Sequence, residues 1–342
     1  MKSLFYIFIF IYLLQSIFPK NVYSNDILNN CLKKADHPWY KTNGPENISL
    51  NTKLAFENCN YALQLFPKSI PIIRSIGRLY YFKKKFKKSY NLLIKGAEQN
   101  DPYSLHVIGM MYFYGEGLEK NINSSIKFLT KSAHLNFYPS QFNLALSFYI
   151  GDQVKENFIK SFKYANMCAK QNIAECQTLL ASHFERGRGV EENSNEAIKY
   201  FKLAASKGNA LSQYSLALKY DEGDGLKTNK NEALKLYKLS AEQGFNKAQF
   251  NLSLRYLTGI DVDKNIAEGF RLTKLAADQG NKKAIYNLGY LYDIGLGTKQ
   301  NKKKAIELYK SASKQGHTSA IYNLALRYSE GIDVKKKIYL KQ

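Results

Sequence analysis

Apolar and small residues recur along this chain at a fixed interval of 36 residues. Ile108, Leu144, Leu180, Leu216, Leu252, Leu288 and Leu324 form an aliphatic column, and the next positions, Gly109, Ala145, Ala181, Ala217, Ser253, Gly289 and Ala325, are all small. Tyr112, Phe148, Phe184, Tyr220, Tyr256, Tyr292 and Tyr328 lie three residues beyond the small column, on the same helical face. A large residue beside a small one lets helices approach closely. Each unit then reaches a glycine, at Gly115, Gly151, Gly187, Gly223, Gly259, Gly295 and Gly331, a residue suited to a left-handed helix end. A second helix follows, with the small column Ser89, Ser125, Ser161, Ala197, Ala233, Gly269 and Ala305. It ends at Asn100, Asn136 or Asn172 in the earlier units and at Gly208, Gly244, Gly280 or Gly316 in the later ones. The pattern predicts an all-α fold, an α/α superhelical solenoid of helix-turn-helix repeats, in which no unit buries its apolar face alone.

The array spans residues 103–331. Ahead of it, a helical pattern runs from Leu54 to Phe66, resumes after Pro71 with Ile72, Ile73, Ile76 and Leu79, and returns over Phe86 to Gln99. Gly77 and Tyr80 match Gly109 and Tyr112 at a spacing of 32, so the link between these two helices is four residues shorter than in the array. Residues 54–102 therefore read as tetratricopeptide-like helix pairs. Residues 25–53, with His37, Pro38, the single Trp39 and Asn43-Gly44-Pro45-Glu46, predict a loop-rich cap, and residues 332–342 a tail.

Residues 1–24 read as a signal peptide, with Lys2, an apolar run from Leu4 to Leu14, and a cleavage site after Ser24. The apolar run is shorter than the roughly 20 residues a bilayer span needs. The expectation is an exported chain, periplasmic or secreted, with no stable membrane span once the signal is removed. The lumen of the endoplasmic reticulum and anchoring by an uncleaved signal are the alternatives.

The chain carries 50 Lys and Arg against 28 Asp and Glu, a net charge of +22, and a mean hydropathy of −0.39 excludes a polytopic membrane protein. Such a surface attracts anionic polymers without specificity. Of the three pairings open to Cys31, Cys59, Cys168 and Cys176, proximity along the chain favours Cys31–Cys59 and Cys168–Cys176. Cys168 and Cys176 also occupy columns held elsewhere by Ser or Ala, next to a tight turn, where a disulfide's Cα separation is attainable. Reduced cysteines packed as small hydrophobes are the alternative.

Lys238-Leu239-Ser240-Ala241-Glu242-Gln243-Gly244 and Lys274-Leu275-Ala276-Ala277-Asp278-Gln279-Gly280, followed in the next unit by an aromatic-Asn-Leu stretch, resemble the Sel1-like repeat family over about residues 71–331. The Cys168 and Cys176 pair, eight residues apart, is similar to the disulfides of the secreted Helicobacter cysteine-rich Sel1-like proteins, in which almost every unit carries one. The resemblance implies a non-enzymatic scaffold that binds protein or peptide, as a monomer. The Helicobacter likeness also suggests an alternative, an envelope-polymer or β-lactam-like ligand with weak hydrolysis.

No catalytic motif emerges. His37, His106, His134, His183 and His317 have no second ligand at metal-site spacing, and the Gly-x-Gly pairs follow no strand, so neither metal nor cofactor is expected. His106 shares a column with Phe142, Tyr214, Phe250, Tyr286 and Tyr322 and reads as core. What remains is the concave face of the first helices. There Asn143, Asn251, Asn287 and Asn323 offer amides to a peptide backbone, and Lys219, Arg255 and Arg327, one turn further, offer cations to a carboxylate. A second ladder, Lys127, Lys163, Lys199, Lys235 and Arg271, runs along the second helices and suits solvent or an anionic envelope polymer. Nucleic acid is not an expected partner, for want of a recognition motif.

Overall fold

The computed structural model describes Cys31 and residues 52–329. Sixteen helices are present among the described residues: α1 (Thr52–Leu65), α2 (Ile70–Phe82), α3 (Phe86–Glu98), α4 (Pro102–Tyr114), α5 (Ile122–His134), α6 (Tyr138–Ile150), α7 (Phe158–Ala169), α8 (Ala174–Arg186), α9 (Ser194–Ser206), α10 (Ala210–Glu222), α11 (Lys230–Glu242), α12 (Asn246–Thr258), α13 (Ile266–Asp278), α14 (Lys282–Ile294), α15 (Lys302–Lys314) and α16 (Thr318–Ser329). The signal peptide, most of the predicted cap with Trp39, Gly331 and the tail lie outside the described residues. The chain divides into two compact units, Met1–Met167 and Cys168–Gln342.

The helices begin and end where the local chemistry dictates. Asn121, Asn157, Asn193, Asn229, Asn265 and Asn301 stand just ahead of the second helices, and each side chain accepts the backbone N–H three residues on at 2.9–3.0 Å. That satisfies one of the amides a helix start leaves without an internal partner. The backbone N–H of each of these asparagines donates to the carbonyl of the aromatic column, as Asn121 does to Tyr112 and Asn229 to Tyr220, so the linking loop is pinned at its far end. Lys85 holds the same register position before α3 without a side-chain cap, and its N–H reaches Tyr80 across the shorter link.

First helices end in left-handed glycines, from Gly115 at φ 75° to Gly295 at φ 74°. Asn100, Asn136 and Asn172 take positive φ at the ends of second helices, where the later units use glycine. The second glycine of the loop has a different job. A Cβ on Gly117 would lie 2.4 Å from Phe86 Cβ, so this loop folds directly onto the preceding second helix. Pro71 falls inside the first turn of α2 rather than ahead of it, where its missing N–H costs nothing.

In the first unit, Cys31, Cys59, Ala62, Ile72 and Ile76 make one apolar cluster and Leu93, Leu105, Ile108 and Met111 another. In the second unit, Leu216, Leu236, Tyr237, Leu252 and Leu272 pack together, as do Ile285, Leu288, Ala305 and Tyr309. The aromatic column of the first helices stacks on rings of the second, Tyr112 on Phe128 at 5.7 Å and Phe184 on Tyr200 at 6.0 Å between centroids. Glutamines stitch neighbouring repeats: Gln243 donates to Gln213 at 2.7 Å and Gln279 to Gln249 at 2.8 Å. Cys31–Cys59 and Cys168–Cys176 are both bonded, with Cα separations of 4.8 and 5.5 Å.

Candidate functional site

In the second unit the predicted cations face inward and are held by carboxylates of the preceding repeat. Lys219 on α10 is buried and contacts Glu185 of α8 at 3.2 Å and Asp224 at 2.8 Å. Burial disfavours its charge, and the hydrogen bonds to Asp224 and Glu185 more than offset that, holding it above the usual lysine range. Arg255 on α12 pairs with Asp221 of α10 and with Asp261, and its guanidinium lies 5.2 Å from the Tyr237 ring centroid. Burial acts against the Asp221 charge, while Lys230 and Arg255 together hold this carboxyl below its ordinary value. Arg327 on α16 donates from Nε to Asp293 of α14 at 2.9 Å.

The asparagines join the same clusters. Asn251 is hydrogen-bonded to Tyr214 and Tyr237, and the Tyr237 hydroxyl donates to Asp221 at 3.4 Å. Burial is the main reason that the Tyr237 phenol is pushed up to about 12. Two repeats on, Asn323 donates to the Tyr286 hydroxyl at 3.2 Å and is bonded to Tyr309, whose hydroxyl donates to Asp293 at 3.3 Å. Asp221, Tyr237, Asn251 and Arg255 therefore recur as Asp293, Tyr309, Asn323 and Arg327. Around Asn287, between these two clusters, the corresponding positions are Phe250, Leu257, Thr273 and Leu291, so the Asp–Tyr–Arg arrangement does not form there. Asn287 is half-buried on the same helix face.

In the first unit the same face is apolar. A cavity of about 170 Å³ opens between α4 and α6. It is lined by Met110, Phe113, Tyr114, Leu146 and Ile150, with Leu129 of α5 beneath and Asn143, Ser147 and Asp152 as its polar groups. Asn143 Nδ2 lies 3.2 Å from Met110 Sδ, and Tyr114 and Ile150 at the rim are each 59% exposed. Here Phe113 and Ser147 occupy the register positions that Asp221 and Arg255 hold three repeats later. The apolar lining went unremarked in the sequence because Met, Phe, Leu and Ile at helical spacing read as core. The ion pairs join an acid and a base 34 residues apart, at 185 and 219, 221 and 255, and 293 and 327, a spacing that the 36-residue register does not bring into one column.

His106 is sealed in the first unit, with Nδ1 2.8 Å from Ser140 Oγ, which donates to Ser132 Oγ at 2.8 Å. Burial holds this imidazole down at about 4, so it is neutral at physiological pH and out of reach of a substrate. Among the described residues no group of three or more His, Cys, Asp or Glu is placed to hold a metal ion, and no helix is long and apolar enough to cross a membrane. On the second helices, Lys199, Lys235 and Arg271 are exposed and paired with Glu196, Glu232 and Glu268.

Paired helices that recur every 36 residues, with asparagine caps on the second helices from Asn121 to Asn301, define an α/α repeat scaffold. The model of the Sel1 repeat matches seven consecutive segments, residues 102–137, 139–173, 174–209, 210–245, 246–281, 282–317 and 318–339, and the chain belongs to the Sel1 repeat family. Proteins of this family are typically protein-interaction scaffolds. A protective antigen of uropathogenic Escherichia coli strains, displaying an SLR fold, is similar at 25% identity and a TM-score of 0.67 over 81% of this chain. This chain spans 60% of the length of that antigen. A Sel1 repeat protein from Oxalobacter formigenes aligns at 28% identity and a TM-score of 0.65, over 70% of this chain and 96% of that one. The likeness to the cysteine-rich protein B of Helicobacter pylori covers 39% of this chain and 96% of that one, at 20% identity and a TM-score of 0.31. No curated protein sequence matches significantly.

Proposed function

We propose that this chain is an exported, non-enzymatic scaffold that binds a protein or peptide segment along the exposed face of its first helices. The observation that carries this reading is the apolar cavity between α4 and α6, with an amide at its wall and a carboxylate at its edge. A concave apolar site with a few polar groups is what a side-chain anchor requires. Asn143 and Asn287 are the amides offered to a peptide backbone. Asn251 and Asn323, with Lys219, Arg255 and Arg327, hold the wall of the groove in shape, because their charges and amides are committed to neighbouring repeats. The two disulfides support an oxidising compartment and hence export.

The test is a peptide array in which one apolar residue is stepped through an otherwise polar decamer. Wild type should retain peptides with an apolar anchor, and Ile150→Glu should lose at least about tenfold in affinity, a change of roughly 1.4 kcal/mol. Equal retention by the two proteins would remove this site from the reading.

A second reading, contact with an anionic envelope polymer, is favoured by one patch. Lys83, Lys84, Lys85, Lys87 and Lys88 are all exposed around the start of α3, and none has an ion-pair partner among the described residues. Retention on immobilised heparin should fall steeply with salt and be weakened by Lys84→Glu/Lys87→Glu; salt-insensitive retention would count against it. The β-lactam alternative rests on the Helicobacter likeness alone.

A further inference from the structure

We infer that the solvent face of α9, α11 and α13 is a docking strip for an acidic amphipathic helix. Leu203, Leu239 and Leu275 hold one register position in three successive repeats of the second unit, and they are 40%, 39% and 38% exposed. At the same position other repeats carry Lys95, Lys131, Met167 and Ser311. Three successive leucines, equally exposed where a polar residue is tolerated, make an apolar row that water disfavours.

The charge beside this row is not cancelled. Lys202, Lys238 and Lys274 directly precede the leucines, are exposed, and have no ion-pair partner among the described residues. One turn earlier, Lys199, Lys235 and Arg271 are neutralised by Glu196, Glu232 and Glu268 at 3.0, 3.5 and 2.7 Å. The ladder of cations along these helices is therefore two rows of different character, one internally satisfied and one waiting for an anion. The exposed acids one turn further along, Glu242 and Asp278, lie beyond ion-pair distance of Lys238 and Lys274.

At the middle of the row, Leu234, Leu239 and the stems of Lys235 and Lys238 line a shallow depression together with Asn231. A discrete seat fits a side chain. An extended acidic chain without apolar side chains would leave the leucines wet. The partner chemistry that matches every element is a helix with apolar residues on one face, recurring every second turn at about 11 Å, and carboxylates flanking them. This face is separate from the groove of the first helices.

The probe is a synthetic 22-residue helical peptide with leucine at every seventh position and flanking glutamates, its binding to the full chain followed by fluorescence anisotropy. Binding should drop at least tenfold in Leu203→Gln/Leu239→Gln/Leu275→Gln and in Lys202→Glu/Lys238→Glu/Lys274→Glu. Circular dichroism should show both variants folded, since all six side chains are exposed. The Ile150→Glu variant should bind this peptide as wild type does, which separates the two faces. Absence of binding, equal binding of a scrambled peptide of the same composition, equal binding by the variants, or binding only to phosphatidylglycerol vesicles would overturn the inference.

Discussion

His106 occupies a column that elsewhere holds Phe142, Tyr214, Phe250, Tyr286 and Tyr322, and its ring is buried like that of Phe250, whereas Tyr322 in the last repeat is 70% exposed. The consequence is a pH dependence that the aromatic residues lack. Its folded value near 4 lies below the ordinary 6.5, because burial penalises the imidazolium. As pH falls below 6.5 the unfolded chain takes up a proton that the folded chain refuses, so stability is full above 6.5 and is lost down to about 4. The full difference corresponds to roughly 3 kcal/mol at about 1.4 kcal/mol per unit. Urea midpoints measured at pH 7 and pH 4.5 should show wild type losing more stability than His106→Phe. Equal losses would mean that another group carries the acid sensitivity.

At the scale of elements, the recurring cluster of Asp221, Tyr237, Asn251 and Arg255 ties α10, α11 and α12 together. Breaking one partner of a buried ion pair leaves a charge without compensation, whereas replacing both by apolar groups is often neutral. This protein contains its own control. Leu257 and Leu291 stand at the register positions of Asp221 and Arg255 one repeat later. Arg255→Leu should therefore cost about 2–4 kcal/mol in urea unfolding, and Asp221→Leu/Arg255→Leu should recover most of it. A double variant no more stable than the single one would show that the cluster is worth more than its apolar counterpart. The same logic explains why the predicted cations were legible as a face but not as partners: their column is visible at 36 residues, their carboxylates only at 34.

Across the molecule, stability is a sum of similar repeats, to which each disulfide adds a local constraint. The bonds close segments of 28 and 8 residues. In the chain-entropy account these contribute about 3.6 and 2.5 kcal/mol respectively by restricting the unfolded chain. Cys168→Ala/Cys176→Ser keeps the residue types other repeats use at these positions, so it should fold and lose about 2 kcal/mol in urea unfolding under oxidising conditions. Under a reductant it should match reduced wild type. A variant as stable as oxidised wild type would mean that the bond adds nothing beyond packing.

The sequence by itself determined the repeat length, the alternation of helices, the aliphatic and small columns and the left-handed ends from Gly115 to Gly295, and it favoured the neighbouring cysteine pairs. Each of these depends on backbone energetics or on a residue's place in a single period, and both are local properties. Tertiary structure alone decided that Lys219, Arg255 and Arg327 turn toward acids of the preceding repeat, that Asn251 and Asn323 are held by tyrosines, and that Met110, Tyr114 and Ile150 line an open cavity rather than a core. The physical reason is that such pairings depend on how each repeat is rotated and shifted against the one before it. That displacement is set by packing between helices, which the spacing of residues along one chain does not encode.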